Sequence, residues 1–232
     1  PQVTGREKID GRVSEPEDVR IWWLASLAGG ARGLLNPRWR PLLDGPLFGA
    51  FGAYEMDGSR TPRSDMASQV GQWANAPDQS AAMKAAPVRG DIGIVFSPDV
   101  QALDHLLSVH LEAPLFPEAI WGAYRGFLDN GLQADFVHID DIGAYPVLYF
   151  PYPIALSEAQ VAALCAWVQN GGTLISEACP GYFTETGHVH TTQPGSGLDA
   201  LFGARQTDVE FMPDIAEEMT FRFANGQAPC GG

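Results

Sequence analysis

The sequence contains no apolar run close to the ~20 residues that a membrane-spanning helix requires. It also has few basic residues, with 14 Lys and Arg against 28 Asp and Glu and a net charge of −14. A surface of this sign repels the phosphates of nucleic acids and of anionic lipids. We therefore expect a soluble protein that binds neither nucleic acid nor membrane, and whose ligand is neutral.

Cysteine is scarce as well. The three cysteines, Cys165, Cys179 and Cys230, are an odd number and lack metal-ligand spacing, which predicts reduced thiols in a cytoplasmic protein. His138, Asp140 and Asp141 are candidate metal ligands, but His138 alternates within a predicted strand and the aspartates suit a loop. A structural histidine is the favoured interpretation, and we predict neither a metal nor another cofactor.

Residues 88–177 carry the clearest fold pattern. Short apolar runs bounded by Gly, Pro or Asp predict buried strands at residues 92–96, 134–139, 146–150 and 173–176. Amphipathic helices are predicted at 118–130 and at 157–170, the second with a Ser157–Gln160 capping box and a stop at Gly171. Residues 140–145 are too few for a crossover helix and predict a loop or single turn. The alternation predicts an α/β fold with a parallel sheet.

The preceding residues predict the end of another domain. A helix is expected at 17–28, opened by a capping Ser14, and a strand at 33–36; after a long loop at 42–62 a helix follows at 64–73. One helix and one strand cannot bury the aromatic residues of this segment, so we interpret it as the last αβ portion of a domain that begins upstream. We predict domains at 1–75 and 88–232, with a linker at 76–87.

The last residues give weaker patterns. A short helix is predicted at 198–202, stopped by Gly203, and alternation predicts strands at 209–212 and 219–223. Residues 225–232 are rich in Gly and Pro and predict no further element.

Several motifs, in this order, resemble glycoside hydrolase family 42, the family of β-galactosidases. They are WWLASLAGGARGLL (22–35), RWR (38–40), VLYFP (147–151) and GGTL (171–174). The resemblance implies the last unit of a (β/α)₈ barrel followed by a three-layer, flavodoxin-like trimerisation domain related to class I glutamine amidotransferases. It further implies a carbohydrate substrate, a homotrimer, and a retaining mechanism with two glutamates about 5 Å apart, both upstream of this chain. The family's Gly-Ala-Glu-x-x-His-like pattern lacks its Glu and His at residues 45–50, which leaves a neighbouring sugar specificity open.

Arg38, Trp39 and Arg40 are the candidate substrate-binding residues, because they follow a predicted strand and α/β folds bind ligands at strand carboxyl ends. Trp39 would stack on a sugar ring and an arginine would donate to hydroxyls. The alternative is structural: Trp39 packs under the loop, and the arginines pair with acids such as Asp44 or Asp57.

Cys179 is an alternative nucleophile, with His188 or His190 as its base, because amidotransferase-like folds place a cysteine on a tight turn after a strand. Pro180 argues against this, since it removes a backbone N–H that an oxyanion hole would use. A third hypothesis is a non-catalytic assembly module, which exposed apolar surface around Trp121 or Phe183 would favour.

Overall fold

The structure is a computed structural model that describes residues 14–36, 38–45, 49, 52–108, 115–177, 179–207, 219–223 and 226–230, the last two segments as backbone only. The chain separates into two compact units, one ending at Val88 and the other beginning at Arg89. Within the described residues, no helix has both the length and the apolarity needed to cross a bilayer.

The first unit is helical. Helix α1 spans Pro16–Ala28 and packs against α2, Pro62–Ala74; a 3-10 turn at Pro77–Gln79 and the short α3, Ser80–Lys84, follow. Both long predicted helices are confirmed. The predicted cap of the first is wrong, because Glu15 rather than Ser14 takes the capping position, and its backbone N–H donates to the Asp18 carboxylate at 2.8 Å. Ser14 is buried and precedes the capping residue, outside the first turn of the helix.

The strand predicted at residues 33–36 is absent. These residues pair with no other segment in the described part of the chain, and Leu35 is 92% exposed. A strand is stable only beside hydrogen-bonding neighbours, and the described residues of this unit supply none. The predicted loop at 42–62 contains no helix or strand in its described residues before Pro62, where α2 begins.

The second unit is built on a four-stranded parallel sheet. Strands β1 (Ile92–Phe96), β2 (Ala134–His138), β3 (Val147–Phe150) and β4 (Thr173–Ser176) are arranged in the order β2-β1-β3-β4. All four predicted strands, and hence the α/β fold, are confirmed. The short connection between β2 and β3 is a 3-10 turn at Ile139–Ala144, as its length predicted.

Helix α6, Glu158–Gln169, covers one face of this sheet together with α7, Leu198–Phe202. The capping box is present, with Ser157 Oγ accepting from Gln160 N at 3.1 Å and Gln160 Oε1 accepting from Ser157 N at 3.0 Å. The core between them is formed by buried aliphatic and aromatic residues: Val95, Val137, Leu148, Phe150, Val161, Leu164 and Leu198.

Helices α4 (Pro98–Ser108) and α5 (Leu115–Asp129) pack against each other, and their residues Val100 and Phe116 form a second buried cluster with Ile154. The aromatic rings of α5 lie on the sheet. Tyr124 stacks on Phe136 of β2 at 5.4 Å between centroids, and Phe127 meets Tyr149 of β3 edge-on at the same separation. The sheet thus has helices on both faces.

At the end of the described chain, β5 (Met219–Phe223) pairs antiparallel with β6 (Gly226–Cys230). The strand predicted at 219–223 is confirmed, whereas the expectation of no further element in residues 225–232 is wrong. Composition opposes a strand there, but a neighbouring strand supplies the hydrogen bonds that composition does not reveal. The strand predicted at 209–212 lies outside the described residues.

Candidate functional site

The carboxyl ends of the parallel strands are where this fold is expected to position a site. The chain runs from β1 to β2 on one side and then crosses to β3 on the other side of β1. Parallel α/β sheets bind ligands at such a switch point, outside the strand carboxyl ends. Here Ser97 follows β1, Tyr152 follows β3 by two residues, and Glu177 follows β4 directly.

Two residues at this edge have left-handed backbone, Tyr152 with φ 47° and Cys179 with φ 62°. Such conformations are uncommon for residues other than glycine and need support from neighbours. Glu177 supplies this support at Tyr152, because its Oε2 accepts from Tyr152 N at 3.2 Å and its Oε1 accepts from Tyr149 Oη at 2.9 Å. One carboxylate therefore ties the end of β4 to the turn after β3.

Burial raises the pKa of two groups at this edge. It raises the pKa of Glu177, although the hydrogen bonds from Tyr149 and Tyr152 act in the opposite direction. The pKa of Tyr152 is raised to about 12, first by burial and then by the nearby Asp104 and Cys179. Asp104 comes from α4 and is only 4% exposed. At neutral pH the Tyr152 phenol keeps its proton.

Cys179 is a free, half-buried thiol packed against the α4–α5 cluster, and Gln206 Nε2 donates to its Sγ at 3.8 Å. His188 Nδ1 instead bonds the Thr186 hydroxyl at 3.1 Å, and His190 Nε2 bonds Ser196 Oγ at 3.0 Å. In the described residues, neither histidine is hydrogen-bonded to Cys179. The contacts at this edge hold the end of β4 to the turn after β3. In the described residues they form no hydrogen-bonded pair between the Cys179 thiol and an imidazole.

His138 lies at the end of β2 with its Nδ1 3.5 Å from the Asp140 carboxylate, and the same nitrogen accepts from Asp140 N at 3.3 Å. Both side chains are largely exposed. Among the residues that the structure describes, no group of three His, Cys, Asp or Glu side chains could hold a metal ion.

In the first unit, Trp39 is 60% exposed and stands beside Tyr54, with ring centroids 5.5 Å apart. The Arg40 guanidinium lies 5.9 Å from the centre of the Trp39 ring, within range of a cation–π interaction. Tyr54 N donates to Trp39 O at 3.1 Å, which fixes the loop, and Arg38 takes a left-handed backbone. Trp39 and Arg40 are thus brought together as an accessible aromatic and cationic surface.

Sequence reasoning missed the bracing role of Glu177 and the participation of Tyr152 and Asp104. A glutamate directly after a predicted strand is an available signal. The sequence holds no such signal for Asp104, because only the packing of α4 brings this residue near Tyr152.

Comparison with known proteins identifies the family of this chain. The sequence model of the family described as the beta-galactosidase trimerisation domain matches residues 115–231, which is just over half of the chain. The chain belongs to this family. The resemblance to glycoside hydrolase family 42 is confirmed.

Curated relatives of this chain include beta-galactosidase BgaB of a Geobacillus species, which is 25% identical over 201 residues. That alignment covers 83% of this chain and 29% of the relative, and a Geobacillus kaustophilus beta-galactosidase gives the same figures. The chain therefore spans less than a third of the length of these relatives.

Solved structures share the fold. A beta-galactosidase from Bacillus circulans sp. alkalophilus has a TM-score of 0.80 at 16% identity, covering 99% of this chain and 35% of that one. A catalytic mutant of a beta-galactosidase from G. stearothermophilus has a TM-score of 0.79 at 16% identity, with 99% and 33% covered. The Halorubrum lacusprofundi beta-galactosidase gives 0.65 at 23% identity, with 86% and 29% covered.

Proposed function

We propose that this chain is the C-terminal part of a β-galactosidase-like glycoside hydrolase, in which it completes the barrel and mediates assembly into a homotrimer. The observation that carries the proposal is the family match over residues 115–231, joined to an alignment that reaches 201 residues of a beta-galactosidase. The hydrolysis of terminal β-glycosides would use two glutamates upstream of this chain, in a retaining mechanism.

The finer assignment of the domains belongs to the same proposal. Residues 1–75 would be the last unit of the barrel, 76–87 a linker, and 88–232 a flavodoxin-like trimerisation domain. The helical first unit and the parallel sheet of the second support this division. Cys165 and Cys179 are both free thiols, which supports a reducing compartment such as the cytoplasm.

The full-length protein tests the activity directly. We expect it to hydrolyse an aryl β-D-galactoside and to release the β-anomer first, as NMR of the early product would show, because a retaining mechanism inverts the anomeric centre twice. First release of the α-anomer, or no turnover of aryl β-glycosides, would contradict the proposal.

Trp39 and Arg40 would contribute a sugar subsite. Replacing Trp39 by alanine is expected to lower kcat/KM for the aryl galactoside by roughly 2- to 12-fold, since aromatic stacking contributes about 0.5–1.5 kcal/mol. Trp73→Ala is the matched control, because Trp73 is also an exposed tryptophan of the first unit, 43% accessible, and lies in the last turn of α2. Equal losses in the two variants would remove Trp39 from the subsite.

The alternative hydrolase at Cys179 with His188 remains a hypothesis, and no observed contact between the two favours it. We expect iodoacetamide to react with Cys179 in the folded protein no faster than with a simple thiol, and Cys179→Ser to leave glycosidase turnover unchanged. Rapid alkylation that is lost in a His188→Ala variant would revive the pair.

A further inference from the structure

Trp39 is held by a short segment that follows it in the first unit. Tyr54 N donates to Trp39 O at 3.1 Å, and the two rings lie 5.5 Å apart between centroids. Gly52 lies so close to the backbone after Trp39 that a methyl group added at its Cα would be 2.6 Å from Pro41 N. Residues 52–59, which we call the support segment, therefore contact both the Trp39 ring and the main chain that follows it.

Gly58 is the residue of the support segment that contacts the edge of the indole. A methyl group added at its Cα would lie 2.9 Å from Cη2 and 3.4 Å from Cζ2 of Trp39. The shorter distance is well below the roughly 3.5–4.0 Å at which two carbon atoms attract each other. Gly58 also has a φ of 86°, a conformation that glycine adopts readily and other residues rarely do. No residue larger than glycine therefore fits at position 58 unless the indole moves.

Hydrogen bonds within the support segment fix the position of Gly58. Gly58 N donates to Glu55 O at 2.9 Å, and Glu55 N donates to Ser59 O at 3.0 Å. This is the pattern of a three-residue loop that ends on a left-handed glycine. The Asp57 carboxylate also accepts from Ser59 N at 2.8 Å. The turn is thus defined by its own hydrogen bonds and holds Gly58 at a fixed place.

Thr61 connects the support segment to helix α2. Its hydroxyl donates to Ala53 O at 2.5 Å and accepts from Ser64 N at 3.0 Å, and the second bond caps the helix. Thr61 is only 3% exposed. A binding residue on a loop is positioned well when a regular element supports that loop. Here the support comes from the first turn of α2 through one buried hydroxyl.

We propose that Gly58 and Thr61 are positioning residues of the sugar subsite at Trp39. Gly58 fixes the edge of the indole, and Thr61 ties the segment that carries Gly58 to α2. This inference rests on the proposed function, in which Trp39 stacks on a sugar ring. Trp39 is 60% exposed, so the contact at its edge leaves much of the ring accessible. A side chain that is already ordered loses less entropy when a ligand binds, which strengthens the stacking.

Steady-state kinetics of the full-length protein on an aryl β-D-galactoside test the proposal. Stacking that is equal in the ground state and the transition state affects KM alone, so its loss raises KM and leaves kcat unchanged. Trp39→Ala and Gly58→Ala are each expected to raise KM by roughly 2- to 12-fold. The double variant should raise KM no further than Trp39→Ala does, because both changes remove the same contact.

Gly45→Ala is the matched control for Gly58→Ala. Gly45 also lies in the first unit with a left-handed backbone, φ 77°, but no described atom lies within 4 Å of the place that its Cβ would take. The change therefore introduces similar backbone strain without a contact to the indole, and KM should keep its wild-type value. Equal KM in the wild type and both glycine variants would overturn the proposal. A Gly58→Ala protein with unchanged KM and lowered kcat would also overturn it, since a smaller folded fraction has that effect.

Thr61→Ser and Thr61→Val test the second residue. Serine keeps the hydroxyl that bonds Ala53 O and Ser64 N, whereas valine has a similar shape and no hydroxyl. We expect the wild-type KM in Thr61→Ser and a raised KM in Thr61→Val. A raised KM in both variants, or in neither, would remove Thr61 from the positioning role.

The same measurements separate this inference from the function on which it rests. A wild-type protein that hydrolyses no aryl β-glycoside would refute both. Wild-type turnover together with an unchanged KM in Trp39→Ala would refute the subsite and its positioning residues, and would leave the glycosidase activity standing. A raised KM in Trp39→Ala with the wild-type KM in Gly58→Ala would refute the positioning role alone.

Discussion

Replacing Phe150 by alanine is expected to lower the free energy of unfolding of the sheet unit by about 3–5 kcal/mol, because the change removes a buried ring and leaves a cavity. Phe150 is 1% exposed and lies on β3, one of the two central strands. Its neighbours in the core come from the sheet and from α6 and α7, which limits how far the site can collapse. Urea unfolding followed by circular dichroism measures the loss.

Leu106→Ala provides the control for Phe150→Ala. Leu106 is 69% exposed, and substitutions at such surface positions usually change stability by less than about 0.5 kcal/mol. If both variants shifted the urea midpoint equally, the assignment of Phe150 to the core would be wrong.

Replacing Glu177 by alanine should destabilise the unit by about 1–3 kcal/mol, since it leaves the backbone N–H of Tyr152 without its acceptor and the Tyr149 hydroxyl without its carboxylate. The left-handed turn at Tyr152 would lose the contact that holds it. Faster amide exchange at Tyr152 in the variant would report this loss locally. Unchanged exchange and unchanged stability would show that the turn is held by packing alone.

Glu177→Gln separates hydrogen bonding from charge. Glutamine can accept from Tyr152 N through its oxygen and donate to the Tyr149 hydroxyl oxygen, so it preserves both contacts without a carboxylate. Because the folded pKa of Glu177 is raised by burial, its stabilising contribution is fully present below the unfolded pKa and is lost as pH rises through the folded pKa. The stability of the wild type relative to the Gln variant should therefore fall as pH rises through that window. A relative stability that increases over the same window would mean that the folded pKa is lowered.

The sheet unit could be predicted from sequence because each of its strands is a short apolar run bounded by turn residues, and because α6 has both a capping box and a glycine stop. The two wrong strand predictions occurred where structure depends on a neighbouring segment. Residues 33–36 have a strand-like composition but no pairing partner among the described residues, whereas Gly226–Cys230 has an unfavourable composition and pairs with β5. Local pattern does not encode either fact.

The candidate site was predictable only in part. Trp39 and Arg40 were predicted from their position after a strand at 33–36 that is absent, yet the structure places the Arg40 guanidinium by the Trp39 ring. The proximity of Asp104 to Tyr152 arises from the packing of α4, and the strain at Tyr152 and Cys179 is a backbone property that side-chain type does not reveal.

The solution mass of the full-length protein, measured by light scattering over a range of concentrations, tests most directly whether this chain serves assembly. We expect three times the subunit mass at micromolar concentration and in moderate salt. A single-subunit mass under the same conditions would contradict the central claim that the chain is the trimerisation part of a β-galactosidase-like enzyme.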